Sequence, residues 1–264
     1  MKKFLGSLFF FLFLVESLAA FEGYHKWVGV IAQQSGYDDQ KILHTLQYKD
    51  LVKMIKKWEK KDYFVSDLKY GEGKWVMVVS KGNGILSQLL LHEERWVDFR
   101  DKMRAYFKKG FYLIDLEYGM GEWVGVFSKD IRYTDARYSA NSDIKKLDYL
   151  IQEGWSDHYK LTQITFGENR WVLLFAKGTK YRNEYYEVAT SFSEALEIID
   201  EQYSKDKDII ELEYALGKWV MLFGIHTGYK NQKYIYADRF DLFEKKLISL
   251  RKNGYMITDL ANGW

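Results

Sequence analysis

Four acidic side chains recur at one fixed spacing in the chain. They are separated by 48 residues or a multiple of 48, and a glutamine fills the remaining equivalent position: Asp67, Asp115, Gln163, Glu211 and Asp259. If the fold brings them together, this belt of carboxylates could bind a cation or a basic ligand, or supply the acid and base of a hydrolase. The alternative, which we favour, is a set of strand positions that are solvated or paired with lysines across the hairpin, near Lys81, Lys129 and Lys177.

Tyrosines and glutamines repeat with the same period. A tyrosine stands ten residues after each of four tryptophans, Ile85 takes this place after the other one, and three repeats carry a glutamine three residues further on. Loops on one face of a repeat protein often bind ligands, and such a surface suits sugars, peptides or protein loops. The predicted binding residues are Tyr37, Gln40, Lys81, Gln88, Tyr133, Tyr181, Tyr229 and Gln232. The alternative is structural, with each glutamine bonded to backbone at a turn.

Several kinds of reactive site are missing from the sequence. There is no cysteine, which excludes a thiol nucleophile and disulfide bonds. The five histidines form no His-Glu-x-x-His motif. His44 and His92 are repeat-equivalent, so a shared metal is one interpretation, and two solvent-facing strand residues are the favoured one. We expect no catalytic residue, no metal and no cofactor.

Tryptophan marks the repeat. A Trp-Val pair recurs every 48 residues, and the chain ends on one more tryptophan: Trp27, Trp75, Trp123, Trp171, Trp219 and Trp264. A fixed period of this length is typical of repeat architectures. The sequence therefore predicts five copies of one structural unit.

Each copy contains the same four predicted elements. The apolar run 75–79 predicts a buried strand, and residues 88–91 predict a second, short strand. Tyr48, Leu51 and Ile55 are spaced to share one helical face. Residues 63–70 predict a further strand that enters a glycine-rich hairpin before the next tryptophan. The unit is β-β-α-β, and the fold class is α+β.

The two ends of the chain complement each other. Residues 21–27 form half of a hairpin, and residues 255–264 supply a strand without a following partner. Pairing of these two segments closes a five-fold ring and removes exposed sheet edges. We predict one α/β-propeller-like ring domain over residues 21–264, with an open array as the alternative. Its repeats are 27–74, 75–122, 123–170, 171–218 and 219–264.

The first twenty residues predict a secretory signal peptide. Lys2 and Lys3 precede the apolar run 4–15, and small residues at 17–20 follow it. An uncleaved anchor is the alternative, although the run is short for a membrane span of about 20 residues. We expect export to the periplasm or outside the cell, with no stable membrane insertion after cleavage. The formal net charge of +2 gives no pull toward nucleic acid.

Two resemblances extend this interpretation. The pattern of Trp75, Val76, Ser80, Lys81 and Gly82, followed by Gln88, a helix and the segment 110–119, resembles a repeat region of unknown function. That region lies C-terminal to plant casein-kinase-one-like kinases and occurs alone in bacterial proteins. Separately, five such units around an axis resemble the α/β-propeller of the pentein superfamily. The first resemblance implies no established activity, and the second implies only the architecture.

The function we expect is recognition without catalysis. One face of the ring is predicted to bind a protein, a peptide or a glycan, and we expect a monomer. The alternative is an envelope hydrolase that uses the belt of carboxylates. A hydrolase should gather these carboxylates in one pocket and raise the pKa of at least one.

Overall fold

The computed structural model describes residues 25–82, 84–85, 87–129 and 132–264, so the predicted signal peptide lies outside the described residues. Five strands begin one residue before a repeat tryptophan, as predicted. These central strands are β1 Lys26–Gln33, β4 Lys74–Lys81, β7 Glu122–Lys129, β10 Arg170–Lys177 and β13 Lys218–Ile225.

Each central strand lies between two antiparallel partners. The outer strands are β2 Asp39–Thr45, β5 Ser87–Glu93, β8 Asp135–Asn141, β11 Arg182–Ala189 and β14 Lys230–Ala237. The inner strands are β3 Phe64–Gly71, β6 Tyr112–Gly119, β9 Lys160–Gly167, β12 Asp208–Ala215 and β15 Met256–Gly263. The five sheets have the orders β2-β4-β3, β5-β7-β6, β8-β10-β9, β11-β13-β12 and β14-β1-β15. Each sheet thus pairs the central strand of one sequence repeat with the outer and inner strands of the repeat before it. The central strand β1 pairs in the same way with the outer and inner strands of the last repeat.

A helix connects the outer and inner strands of every sheet. The helices are α1 Tyr48–Glu59, α2 Trp96–Phe107, α3 Leu147–Ser156, α4 Phe192–Tyr203 and α5 Phe240–Arg251. A 3-10 turn, Ile144–Lys146, precedes α3, so Ile144 is not on the α-helix predicted for it. The predicted apolar face is confirmed in α1, where Leu51 and Ile55 are buried.

Every helix packs between two sheets, which explains the unbroken apolar runs of the central strands. Leu51 and Ile55 of α1 share a core cluster with Trp75 and Met77 of their own sheet and with Val124 of the next sheet. Because alternate side chains of a strand point to opposite faces, both faces of β4 and β7 are covered. The equivalent clusters recur at the other helices.

The first and last described strands meet in one sheet. Strand β1 pairs with β15, with Trp27 opposite Asn262 and Val30 opposite Asp259, which confirms the predicted pairing of the terminal strands. The inner strands belong to different sheets but contact each other in succession: β3 with β6, β6 with β9, β9 with β12, β12 with β15, and β15 with β3.

Glycine is required where neighbouring inner strands approach. A Cβ atom on Gly119 would lie 2.3 Å from Cγ of Tyr70, and one on Gly167 would lie 2.3 Å from Cγ of Tyr118. These distances are far below van der Waals contact. Because glycine has no side chain, each tyrosine can pack against the strand beside it.

Candidate functional site

Five loops converge on one cavity of about 630 Å³. Each loop follows a central strand, and four of them contribute the predicted tyrosines: Tyr37, Tyr133, Tyr181 and Tyr229. Ile85, at the equivalent position of the other repeat, lines the same cavity. We call this site the tyrosine cavity. The structure places the predicted tyrosines together, while ligand binding by them stays a prediction.

The tyrosine hydroxyls are neutral hydrogen-bonding groups at physiological pH. Burial, followed by the charge of Asp67, raises the pKa of Tyr37 to about 12. Burial likewise raises the pKa of Tyr133 to about 12 and that of Tyr181 well above its usual value. The Tyr181 hydroxyl donates to the Leu161 carbonyl oxygen at 2.7 Å. A phenol that donates one bond still has lone pairs to accept another.

Bulges in the inner strands supply the rest of the wall. The pairing of β3 with β4 shifts register between Val65 and Asp67, and Ser66, the residue skipped, lines the tyrosine cavity. Ile114 and Ile210 occupy equivalent bulges and line it too. Bulges redirect a side chain in this way. The lining also includes the exposed residues Arg132 and Lys180. The sequence interpretation missed the bulge residues Ser66, Ile114 and Ile210.

The carboxylate belt, Asp67, Asp115, Glu211 and Asp259, is buried on the inner strands. Its side chains connect strands that share no sheet. The Leu212 amide donates to Oδ2 of Asp259 at 2.9 Å, and Nε2 of Gln163 donates to Oδ1 of Asp115 at 2.7 Å. The belt positions are therefore not solvated, contrary to the favoured interpretation.

The lysines expected near the belt lie elsewhere. Their ammonium groups lie over aromatic rings: Lys81 over Tyr63 at 5.0 Å, Lys129 over Phe111 at 4.6 Å, and Lys177 over Tyr159 at 4.4 Å. These distances fit cation–π contacts. Lys81 is thus placed on an aromatic ring beside its own strand and is not part of the lining of the tyrosine cavity.

A buried lysine that the sequence interpretation missed faces the acidic groups. Nζ of Lys69 lies 3.0 Å from Oε2 of Glu117 and 2.8 Å from Oε2 of Glu213. Lys69 stands two residues after Asp67, and Glu117 stands two residues after Asp115. Residues two apart on a strand share a face, and this periodicity could have identified the second layer.

Burial changes the protonation of the belt. It raises the pKa of Asp115 to about 6 and that of Asp259 to about 8, although the charge of Lys69 opposes both shifts. The same burial raises the pKa of Glu117 to about 8. The pKa values of Asp67 and Glu211 are well above the usual range. Burial therefore favours the protonated form of each belt carboxyl.

The three predicted glutamines bind backbone between neighbouring sheets. Gln88 accepts from the Val65 amide through Oε1 and donates to the Val65 carbonyl through Nε2, both at 2.7 Å. Gln40 forms the same pair of bonds with Ile257, and Gln232 forms it with Ile209. Both amide atoms are engaged and none of the three lines the tyrosine cavity. The glutamines therefore bond backbone, as in the structural alternative, but they do so from strands and not at turns.

The repeat-equivalent histidines have separate surroundings. The His44 ring lies 5.2 Å from the Phe240 ring, while His92 stacks on Tyr48 and lies 2.8 Å from Oε2 of Glu122. Within the described ranges, no group of three or more His, Cys, Asp or Glu side chains is placed to hold a metal ion. In the same part of the chain, no helix is long and apolar enough to cross a membrane.

Comparison with known proteins gives a family but no activity. No curated protein matches the chain. The model of the family described as Domain of unknown function (DUF7477) matches residues 113–263, more than half of the chain, and the protein belongs to this family.

Proposed function

We propose that this protein is a non-catalytic binding module that takes a protein loop, a peptide or a glycan in the tyrosine cavity. The convergence of four equivalent tyrosines, from four separate loops, carries the proposal. The cavity volume is within the range of about 300–1,000 Å³ that ligand sites occupy. Neutral phenols beside Ile114 and Ile210 offer both hydrogen bonds and apolar contact, as sugar rings and peptide segments require.

A closed five-fold ring is part of this proposal. It is supported by the pairing of β1 with β15 and by the series of inner-strand contacts that returns from β15 to β3. A ring of this kind, like the pentein α/β-propeller, brings its loops to one face and so explains a single shared cavity. The likeness to the repeat region of plant kinases is kept as a proposal and assigns no activity.

Calorimetry with the mature chain, residues 21–264, tests ligand binding. A thermal-shift screen of glycans and peptides first identifies a ligand, which at 100 times its dissociation constant should stabilise the fold by about 2.7 kcal/mol. Tyr133→Phe and Tyr181→Phe should each weaken the binding of that ligand, because the phenol oxygen is lost while the ring stays. Tyr149→Phe is the control, since Tyr149 is exposed on α3, outside the cavity lining. Unchanged binding by both cavity variants would refute the site.

The hydrolase alternative has one observation in its favour. The belt carboxylates converge and have raised pKa values, as an enzyme would need. We rank it second because Asp115 and Asp259 are only 5% and 7% exposed and already bind backbone amides or Gln163. Turnover of any screened glycan or peptide that disappears in Asp115→Asn would reverse this ranking.

Export and a monomeric state are also proposed. Export depends on the residue pattern of 1–20, and mass spectrometry of the exported protein should find Phe21 at its N-terminus. An intact N-terminus on membrane-bound protein would indicate the anchor instead. Sedimentation of the mature chain should give one species close to the mass of a single copy.

A further inference from the structure

A second concavity, of about 600 Å³, lies between α2 and the outer strand β8. It shares no lining residue with the tyrosine cavity. Four arginines from three elements line it: Arg100 and Arg104 of α2, Arg137 of β8 and Arg170 of β10. We call it the arginine groove.

The guanidinium groups of this groove are incompletely bonded. Nη1 of Arg137 donates to Asp157 at 2.6 Å, but in the described part of the chain Nε and Nη2 of Arg137 and Nε of Arg170 have no acceptor. Arg100 has Asp101 at 2.9 Å, while Arg104 donates to the Tyr138 hydroxyl at 2.8 Å. The Arg137 guanidinium lies over Phe175, on the face of the sheet away from α2, and the atoms without an acceptor are buried. Among the described residues, the other three arginines of the groove meet one carboxylate, Asp101, which leaves positive charge for an anionic ligand.

The equivalent groove of the next repeat shows that this charge is not a property of the fold. That groove, of about 380 Å³, lies between α3 and β11. Forty-eight residues after Arg100, Arg104 and Arg137 it has Asp148, Gln152 and Tyr185. The repeat builds the concavity at both places, and only the first is basic.

The shape of the arginine groove indicates an extended ligand. Five consecutive residues of β8, from 136 to 140, line it and span about 17 Å at the usual rise of a strand. Strand β8 is the edge of its sheet and, among the described strands, pairs only with β10. Every second backbone N–H and C=O of such an edge points away from its sheet, ready to pair with another strand.

We propose that the arginine groove binds an extended acidic peptide segment of a partner protein. The segment adds a strand to β8 through backbone hydrogen bonds, and its carboxylates bind Arg100 and Arg104. Trp96, Phe107 and Leu150 supply apolar surface for the side chains between them. This site is independent of the tyrosine cavity.

Fluorescence polarisation with synthetic octapeptides tests the proposal on the mature chain. The probe has glutamate at alternate positions and threonine or valine between them. A second probe is the same peptide with N-methyl groups on the alternate backbone amides that would pair with β8. A third probe is a sulfated oligosaccharide of similar charge. The double variant Arg100→Ala with Arg104→Ala removes two groove cations. Arg182→Ala with Arg239→Ala removes two exposed cations outside the groove and is the matched control.

The proposal expects the unmodified peptide to bind and the N-methylated peptide to bind at least tenfold more weakly. The groove variant should lose at least tenfold in affinity for the peptide, and the control variant should not. Circular dichroism spectra and melting curves should show that both variants are folded. Equal binding of the N-methylated peptide, or tighter binding of the oligosaccharide at this groove, would overturn the assignment to a peptide strand. No peptide binding up to millimolar concentration would overturn the site.

Discussion

At the scale of single residues, Lys69 is the centre of the buried charge. It lies between Glu117 and Glu213, and all three side chains are almost completely buried. Moving charges out of water costs free energy, which mutual attraction offsets only while the pairing is complete. Removal of one partner should therefore cost more than the pair contributes to stability.

Lys69→Met should lower the free energy of unfolding by about 3–5 kcal/mol at pH 7, because Glu117 and Glu213 lose their counter-charge. Urea denaturation at pH 7 measures the loss. Lys53→Met is the control, since Lys53 pairs with Asp50 on the surface and should cost no more than about 1 kcal/mol. Equal effects of the two variants would contradict a central role for Lys69.

The belt carboxyls and the neighbouring Glu117 should make stability depend on pH. Asp259 and Glu117 have pKa values of about 8 in the folded protein, whereas unfolded carboxyls titrate near about 4. The folded state then holds protons that the unfolded chain releases, so this stability is complete below about pH 4 and is lost as pH rises through about 8.

Asp259→Asn should flatten the pH dependence between pH 5 and 9, because asparagine resembles the protonated carboxyl and can still accept from the Leu212 amide. Urea denaturation across this range gives the slope. Asp241→Asn, on the exposed first turn of α5, should leave the slope unchanged. A wild-type stability that rises steadily from pH 5 to 9 is the opposite result and would show that the belt is ionised in the fold.

At the scale of elements, each hairpin joins an inner strand to the central strand of the next repeat. The turn after β12 has Leu216 at φ 53° and Gly217 at φ 70°, and the turn after β6 has Met120 at φ 54° and Gly121 at φ 80°. Two positive φ angles are typical of type I′ turns, which match the twist of the paired strands. Leucine and methionine are poor residues for the first of these positions.

Leu216→Asn should stabilise the protein by about 0.5–1 kcal/mol, because asparagine tolerates the left-handed conformation and leucine does not. Leu216 is 61% exposed, so the substitution gives up little apolar burial. Thermal and urea denaturation measure the change. Leu46→Asn is the control, since Leu46 is equally exposed and is not at a positive φ. A gain in the control as large as in Leu216→Asn would show that lost hydrophobic exposure, not backbone conformation, is the cause.

At the scale of the whole molecule, the terminal strands share one sheet with β14. Ala32 of β1 is opposite Met256 of β15, although the two residues are 224 positions apart in the sequence. A link between them would close almost the whole described chain into one covalent loop. Cross-links over long loops remove the most entropy from the unfolded chain.

The pair Ala32→Cys and Met256→Cys should form a disulfide on oxidation, because opposite residues of antiparallel strands have Cα atoms within disulfide range. The bond should stabilise the protein by up to about 5 kcal/mol. Non-reducing electrophoresis and melting curves check both points. Ala32→Cys with Ala105→Cys, which places the second thiol on α2, should not cross-link. Failure of the first pair to oxidise in folded protein would argue against a closed arrangement.

Local patterns accounted for most elements of the fold. The Trp-Val period located the central strands, the apolar spacing located α1 and its equivalents, and the glycine-rich turns located the hairpins. Ile144 departed from the helix pattern because Asp143 accepts from the Lys145 amide and a 3-10 turn starts there. Spacing of apolar residues does not reveal such local side-chain bonds.

The candidate site was predicted only in part. The common period of Tyr37, Tyr133, Tyr181 and Tyr229 predicted that they share one face, and the structure places them around one cavity. The bulge residues Ser66 and Ile114 were missed because a bulge depends on how two strands pair, and the pattern of one strand does not record it. The partner of Gln88 was not predictable for a similar reason, since Val65, whose backbone it bonds, lies on another sheet.

The sequence by itself determined the period, the order of elements and the buried faces of the central strands and of α1, because these depend on residues close along the chain. Tertiary structure alone decided that the belt is buried, that Lys69 pairs with Glu117 and Glu213 beside it, and that four arginines line one groove. Those outcomes arise between residues tens of positions apart, such as Lys69 and Glu213 or Arg104 and Arg137. Their desolvation and mutual distances exist only once the sheets have packed together.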